Sequence, residues 1–118
     1  MLMINLDYQT RTPIYEQIVN QIERYVALGI LNPKDQIPSI RELAGELGVN
    51  PNTVKKAYDF LERKNIITTI STKGTFIKSE IQDVILSKKK SMLKEISLKI
   101  EEYQKIGGDI EDIKKLLS

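Results

Sequence analysis

"PSIRELAGELGVNPNTVKKAYDFLE", residues 38–62, sets two short helical patterns around a "GVNPN" break. The run Ser39-Ile40-Arg41-Glu42 is a capping box: the Ser39 hydroxyl can accept from the amide of Glu42, whose carboxylate can reach back to the amide of Ser39. Leu43, Ala44 and Leu47 then face a core, and Gly48 is a natural stop. Asn50 follows as a second N-cap, with Pro51 at the first helical position. A hairpin of helices built only for bulk has longer arms. A stop and a restart within two or three residues is the signature of a helix-turn-helix, which presents its second helix at a fixed angle.

That second helix is predicted from Pro51 to about Lys64. Val54, Ala57, Tyr58 and Leu61 recur at i, i+3, i+4 and i+7 and form one buried stripe. The opposite face carries Asn52, Lys56, Asp59 and Arg63, with Lys55 on its flank. Amides and cations so placed can meet base edges and phosphates in a major groove. Taken alone, this pattern fits a solvated helix face better than an interface; the turn before it reverses the balance.

Upstream, "TRTPIYEQIVNQIERYVALG", residues 10–29, predicts a helix with Thr12 as N-cap, Pro13 as first helical residue and Gly29 as terminator. Its apolar face is Ile14, Ile18, Ile22 and Tyr25–Val26. "ILNPKDQIP", residues 30–38, is expected to be a short loop. Downstream, residues 66–70 and 75–77 are β-rich, and "STKG", residues 71–74, is a turn in which Gly74 is free to take positive φ. A helix-turn-helix followed by a small hairpin is a winged helix. Lys73 at the hairpin tip is placed to touch a phosphate or the neighbouring minor groove; a hairpin that merely covers the core would leave it solvated.

Residues 80–118 change character, with no proline and no strong strand signal. Ile81, Val84, Ile85 and Leu86 form one apolar stripe, and Leu93, Ile96, Ile100 and Tyr103 form a short a/d seam. Gly107-Gly108 breaks the helix, and Asp109 caps a last one with Ile110, Ile113, Leu116 and Leu117 apolar. So few residues bury little by themselves, so the tail must pack on the preceding domain or on another chain. Lys88–Lys90 is the pattern of a solvated run.

The chain has 118 residues, 41% hydrophobic and 29% charged, with a net charge of only +2. All four Arg lie in residues 1–79, where 6 Lys and 4 Arg oppose 3 Asp and 5 Glu, while 80–118 hold 8 Lys against 3 Asp and 5 Glu. Arginine is the residue for bidentate phosphate or base contacts, so the first part is the one poised for nucleic acid. There is no Cys and no His, which excludes thiolate and imidazole metal sites, disulfides, and Ser-His or Cys-His nucleophile systems. No cofactor is expected. No basic start followed by an apolar run opens the chain and no stretch approaches a membrane span, so a cytoplasmic protein without a membrane partner is expected. Carboxylate pairs such as Glu101–Glu102 and Glu111–Asp112 sit at exposed-looking helix positions with no pocket signal, which argues against an enzyme.

The residues Pro38-Ser39-Ile40-Arg41-Glu42-Leu43-Ala44, Val49-Asn50-Pro51-Asn52-Thr53-Val54 and Gly74-Thr75-Phe76-Ile77, with "PIYEQIVNQIERYV" before them, resemble the GntR family of bacterial transcriptional regulators over about residues 8–78. The short helical tail and the "NPNTV…AY" spelling are similar to the YtrA-type branch, whose tail serves dimerisation. The resemblance implies a mainly α fold with a small β-hairpin: a winged helix-turn-helix domain over 1–79 and a two-helix dimerisation tail over 80–118. It implies DNA contacts by Ser39 and Arg41 on the second helix, by Asn50, Asn52, Thr53, Lys55 and Lys56 on the recognition helix, and by Lys73 and Gly74 in the wing. Dimerisation would fall to Leu93, Ile96, Ile100 and Tyr103. Two departures stand out: Ile37 replaces the usual Leu before Pro38, and Ser71 and Thr72 stand where relatives often have Arg and Gly.

The expected function is a homodimeric DNA-binding regulator, in all expectation a repressor, on a palindromic operator. The tail is too small to enclose a ligand, so a small-molecule effector would have to bind at a domain or subunit junction. The competing reading is a winged-helix protein-interaction module that never touches nucleic acid, and the low net charge is its best argument.

Overall fold

The computed structural model describes residues 2–118. Its elements run α1 (Ile14–Ala27), β1 (Gln36–Ile37), α2 (Ile40–Leu47), α3 (Pro51–Arg63), β2 (Ile67–Ile70), β3 (Gly74–Ile77), α4 (Ile81–Lys105) and α5 (Ile110–Leu116). The chain divides into two compact units, the first ending at Val84 and the second spanning Ile85–Ser118.

In the first unit α1 and α2 pack on α3, and the core is aliphatic. Ile18, Ile22, Leu43, Val54, Ala57 and Leu61 are fully buried, and Ile67, Ile77 and Ile81 continue the core under the sheet. All four residues of the α3 stripe predicted from spacing are buried. The capping box at Ser39 is formed in both directions, Gly48 closes α2 in the left-handed region at φ 66°, and Asn50 caps α3 with Pro51 in its first turn.

At α1 the expectation needs correcting by one position. Pro13 itself is the N-cap, with ψ 151°, and Thr12 does not cap the helix. No side chain caps this end, and Gln17 instead ties the helix to the segment before it. The backbone carbonyl of Pro13 accepts from the amide of Gln17, and the Gln17 amide group donates to the carbonyls of Thr12 and Asp7. Gly29 takes φ 75° just past the helix end, as its position suggested.

The loop before α2 also contains a strand that the sequence did not announce. Gln36 and Ile37 pair antiparallel with Phe76 and Thr75, giving a three-stranded sheet of order β1-β3-β2. A two-residue strand is too short to carry a period-2 signal. The wing hairpin has Ile67 opposite Ile77 and Ile70 opposite Gly74.

A second unannounced feature is an extended strap, residues 3–7, lying along α1. The side chain of Gln21 exchanges two hydrogen bonds with the backbone of Asn5, that of Gln17 does the same with Asp7, and the Tyr25 hydroxyl donates to the carbonyl of Met3. Two extended residues advance about 6.7 Å and four helical residues about 6.0 Å, so every second strap residue meets every fourth helix residue. Ile4 is buried beneath this ladder.

In the second unit α4 continues as one 25-residue helix to Lys105, so the two apolar stripes of the tail share a single helix. Gly107, at φ 91°, turns the chain, and Asp109 caps α5 by accepting from the amide of Glu111. The Tyr103 hydroxyl donates to the Asp112 carboxylate at 2.6 Å, which lifts the tyrosine above its usual ionisation range. A Cβ at Gly108 would lie 2.3 Å from the Tyr103 ring, so glycine is what lets the turn close on it.

Candidate nucleic-acid interface

Helix α3 is held at a defined angle by contacts at its middle and at its C-terminal end. Tyr58, only 3% exposed, donates through its hydroxyl to the carbonyl of Pro38 at 2.7 Å. That bond ties the middle of α3 to the residue just before the Ser39 cap of α2. Burial, reinforced by the carboxylates of Glu42 and Glu46, pushes the Tyr58 phenol up, so it stays a neutral donor. At the far end the Lys64 ammonium meets Glu23 of α1 at 3.0 Å.

The outer surface of α3 then presents Asn52, Lys55 and Lys56, all exposed, with Thr53 half-buried beside them. The N–H of Asn52 donates to the Asn50 side-chain oxygen at 2.8 Å, so the backbone amide is occupied while the Asn52 carboxamide takes no part in the cap. A carboxamide near a helix N-terminus can donate and accept at once, which is the pattern an adenine edge offers in the major groove. Asn50 keeps its side-chain NH2 for a second partner.

The two lysines are less free than the sequence suggested. Lys55 pairs with Asp59 at 2.8 Å one turn on, and Lys56 sits over the Tyr15 ring of α1, 4.1 Å from its centroid. Both contacts are exposed enough to be exchanged for phosphate at little cost. They pre-orient the cations along the helix face. Tyr15 and Asp59 are thus supporting residues; Tyr15 was read from the sequence only as part of a helix.

On α2, Ser39 accepts from Glu42 at 3.1 Å through its oxygen, and its hydroxyl proton remains available. Arg41 is exposed in the first turn of the same helix. The positive ends of α2 and α3 therefore carry their own polar donors, an arrangement suited to phosphate.

The wing is anchored from β1. The Gln36 side-chain amide donates to the carbonyl of Lys73 at 3.3 Å, and the Lys73 amide donates to Ile70 across the turn. Gly74 takes φ 126°, and a Cβ there would lie 2.5 Å from the Gln36 amide nitrogen. Thr72 supplies a second left-handed residue at φ 65°. The glutamine anchor escaped the sequence reading because it depends on β1. The Lys73 side chain at the tip is exposed.

The expected dimerisation residues lie in the second unit. Leu93, Ile96 and Tyr103 are 65%, 54% and 36% exposed, and Ile100 is half-buried. They do not find cover within their own unit. Ile96, Ile100 and Tyr103 of α4, with Ile113 and Leu116 of α5 and Leu117 just past it, line an open apolar groove of about 920 Å³.

Among the described residues no group of three or more His, Cys, Asp or Glu side chains is placed to hold a metal ion, and no helix is long and apolar enough to cross a membrane.

Comparison with known proteins matches this geometry to one family. The chain is 45% identical over 93 residues to the HTH-type transcriptional repressor YtrA of Bacillus subtilis (strain 168), covering 79% of this chain and 72% of that protein. A crystal structure of a transcriptional regulator from Oenococcus oeni superposes with a TM-score of 0.72 at 40% identity, over 95% of this chain and 93% of that one. A crystal structure of AraR(DBD) in complex with operator ORE1 superposes with a TM-score of 0.54 at 26% identity, over 65% and 94% of the two chains. The family described as "Bacterial regulatory proteins, gntR family" matches residues 14–77. With that match running from the start of α1 to the end of β3, more than half of its length, the chain belongs to the GntR family of bacterial regulatory proteins.

Proposed function

We propose that this chain is a cytoplasmic, homodimeric transcriptional repressor of the YtrA type, which binds a palindromic DNA operator through the winged helix and dimerises through the tail. One observation carries the DNA-binding reading: α3 turns Asn52, Lys55 and Lys56 outward from a rigid mount made by the Gly48–Asn50 turn and the Tyr58–Pro38 bond. Asn52, with Asn50 and Thr53, reads bases. Ser39, Arg41, Lys55, Lys56, Lys73 and the Gly74 backbone hold the phosphates on either side. The chain does no chemistry of its own.

The homodimer is supported by the exposed seam on α4. A single winged helix buries too little surface for tight specific binding, and a two-fold axis would present two recognition helices to half-sites one helical turn or a multiple apart. Selection of bound sequences from random duplexes with the purified protein tests the reading. The expected product is an inverted repeat with fixed spacing. A pool with no enrichment would support the protein-interaction alternative, and a lone half-site would dismiss the dimer on DNA.

A further inference from the structure

The first unit carries a concavity of about 900 Å³ on the side of the sheet where β1 meets α2 and the end of α1. One part of its wall is apolar, formed by Met3 of the strap, Ile30 and Leu31 after α1, and Ile37 of β1, and the rest is polar. Met3 and Ile30 stand 65% and 59% exposed at the rim. Its charges are all of one sign. Asp35, Glu42 and Glu46 line it, and no lysine or arginine does. Asp35 accepts from the amide of Asn32, and Glu42 from the amide of Ser39, so these two carboxylates are fixed in place. Glu46 has no ion-pair partner among the described residues. An apolar wall beside three carboxylates, with no cation among the lining residues, selects a ligand with an apolar body and a positive head, and the volume suits a small molecule.

The same concavity touches the machinery that would read DNA. Its lining residue Pro38 accepts the Tyr58 hydroxyl that fixes α3. Gln36 beside it holds the wing turn through the Lys73 carbonyl. Glu42 closes the capping box of α2. A body wedged against Gln36 and Pro38 would thus strain the wing anchor and the helix mount together.

We propose that this groove is an effector site for a small amphipathic organic cation, of the aryl- or alkylammonium class, and that its occupancy weakens DNA binding. The site differs from a junction between domains or subunits, since the groove lies within the first unit. Ligand binding stands on the groove alone; the coupling to DNA rests on the regulator reading above.

Benzyltriethylammonium is a suitable probe, with tetramethylammonium, benzyl alcohol and benzenesulfonate as controls for head, body and charge sign. Titration of the full chain followed by amide chemical shifts should move Met3, Leu31, Gln36 and Glu46 with the probe and hardly with the controls. Asp35→Asn with Glu46→Gln should weaken the probe roughly tenfold, as loss of two partly screened charge contacts requires; Glu46→Gln alone should give a smaller loss in the same direction. Shifts confined to α4 and α5, equal binding of benzyl alcohol, or unchanged affinity in both variants would overturn the site. On duplexes obtained by selection, saturating probe should weaken DNA binding severalfold in the parent and not in the double variant. DNA binding that ignores bound probe overturns the coupling. A chain that binds probe but no DNA overturns the regulator reading and the coupling with it, while the site stands.

Discussion

Removing one oxygen atom tests the mount of the recognition helix. In Tyr58→Phe the ring keeps its place in the core and only the hydroxyl is lost. That hydroxyl is 2.7 Å from the Pro38 carbonyl and the residue is 3% exposed, so water does not easily replace it. Leaving a buried acceptor without its donor should cost about 1–2 kcal/mol. In a domain of this size the thermal midpoint should fall by roughly 5–15 °C, readable by circular dichroism at 222 nm. The same bond makes an alkaline prediction. Burial, with Glu42 and Glu46 nearby, raises the folded-state pKa of Tyr58 above its unfolded value. The stability this confers is therefore full below about pH 10 and is lost as pH rises from there toward the folded pKa. Tyr58→Phe should remove that part of the alkaline loss. Because the bond spans α3 and the start of α2, cognate DNA affinity should fall more than non-specific affinity. A midpoint within about 1 °C of the parent, with an unchanged alkaline limb, would show that Pro38 and Tyr58 do not hold the two helices together.

Other predictions bear on the interface and the tail. Asn52→Ala should cost about 1–3 kcal/mol at the selected site and leave random-sequence binding nearly unmoved, measured by fluorescence anisotropy; equal losses on both would assign Asn52 to the backbone. Arg41→Ala should flatten the slope of log K against log salt by about one unit per half-site if it holds a phosphate, whereas relaxed specificity at one base pair with the slope intact would make it a base reader. Ile96→Asp should give a soluble monomer whose winged helix still folds, since each buried aliphatic in a tail interface would contribute roughly 1.5–3 kcal/mol; sedimentation showing a dimer would place the interface elsewhere. Gly108→Ala should displace the Tyr103 ring and detach α5, lowering tail helicity and returning the Tyr103 ionisation toward its ordinary range in an ultraviolet titration.

Helix boundaries, the α3 stripe and the turn between α2 and α3 were legible in the sequence because they rest on local chemistry. Ser39, Glu42, Gly48, Asn50 and Pro51 each act within four residues of themselves, and the period of Val54, Ala57, Tyr58 and Leu61 needs no partner to be seen. The same locality made the wing hairpin readable. What only the tertiary structure decided are the contacts between residues far apart in the chain. Gln36 meets Lys73 across 37 residues and forms a strand too short to have a period. Tyr58 finds Pro38, and Gln17, Gln21 and Tyr25 find a strap whose short alternation, Ile4-Asn5-Leu6-Asp7, does not say which element it will pair with. Thr12 has the composition of a cap, yet α1 starts one residue further on, with no side-chain cap, and the Thr12 carbonyl accepts from the Gln17 side chain instead. Helical geometry already set Lys56 on the outer face and Lys55 on its flank, but that one lies against Asp59 and the other over Tyr15 of α1 was decided by the packing around them. Local propensity wrote the elements of this chain; the long-range hydrogen bonds, which no spacing rule encodes, set how its recognition helix and wing are held.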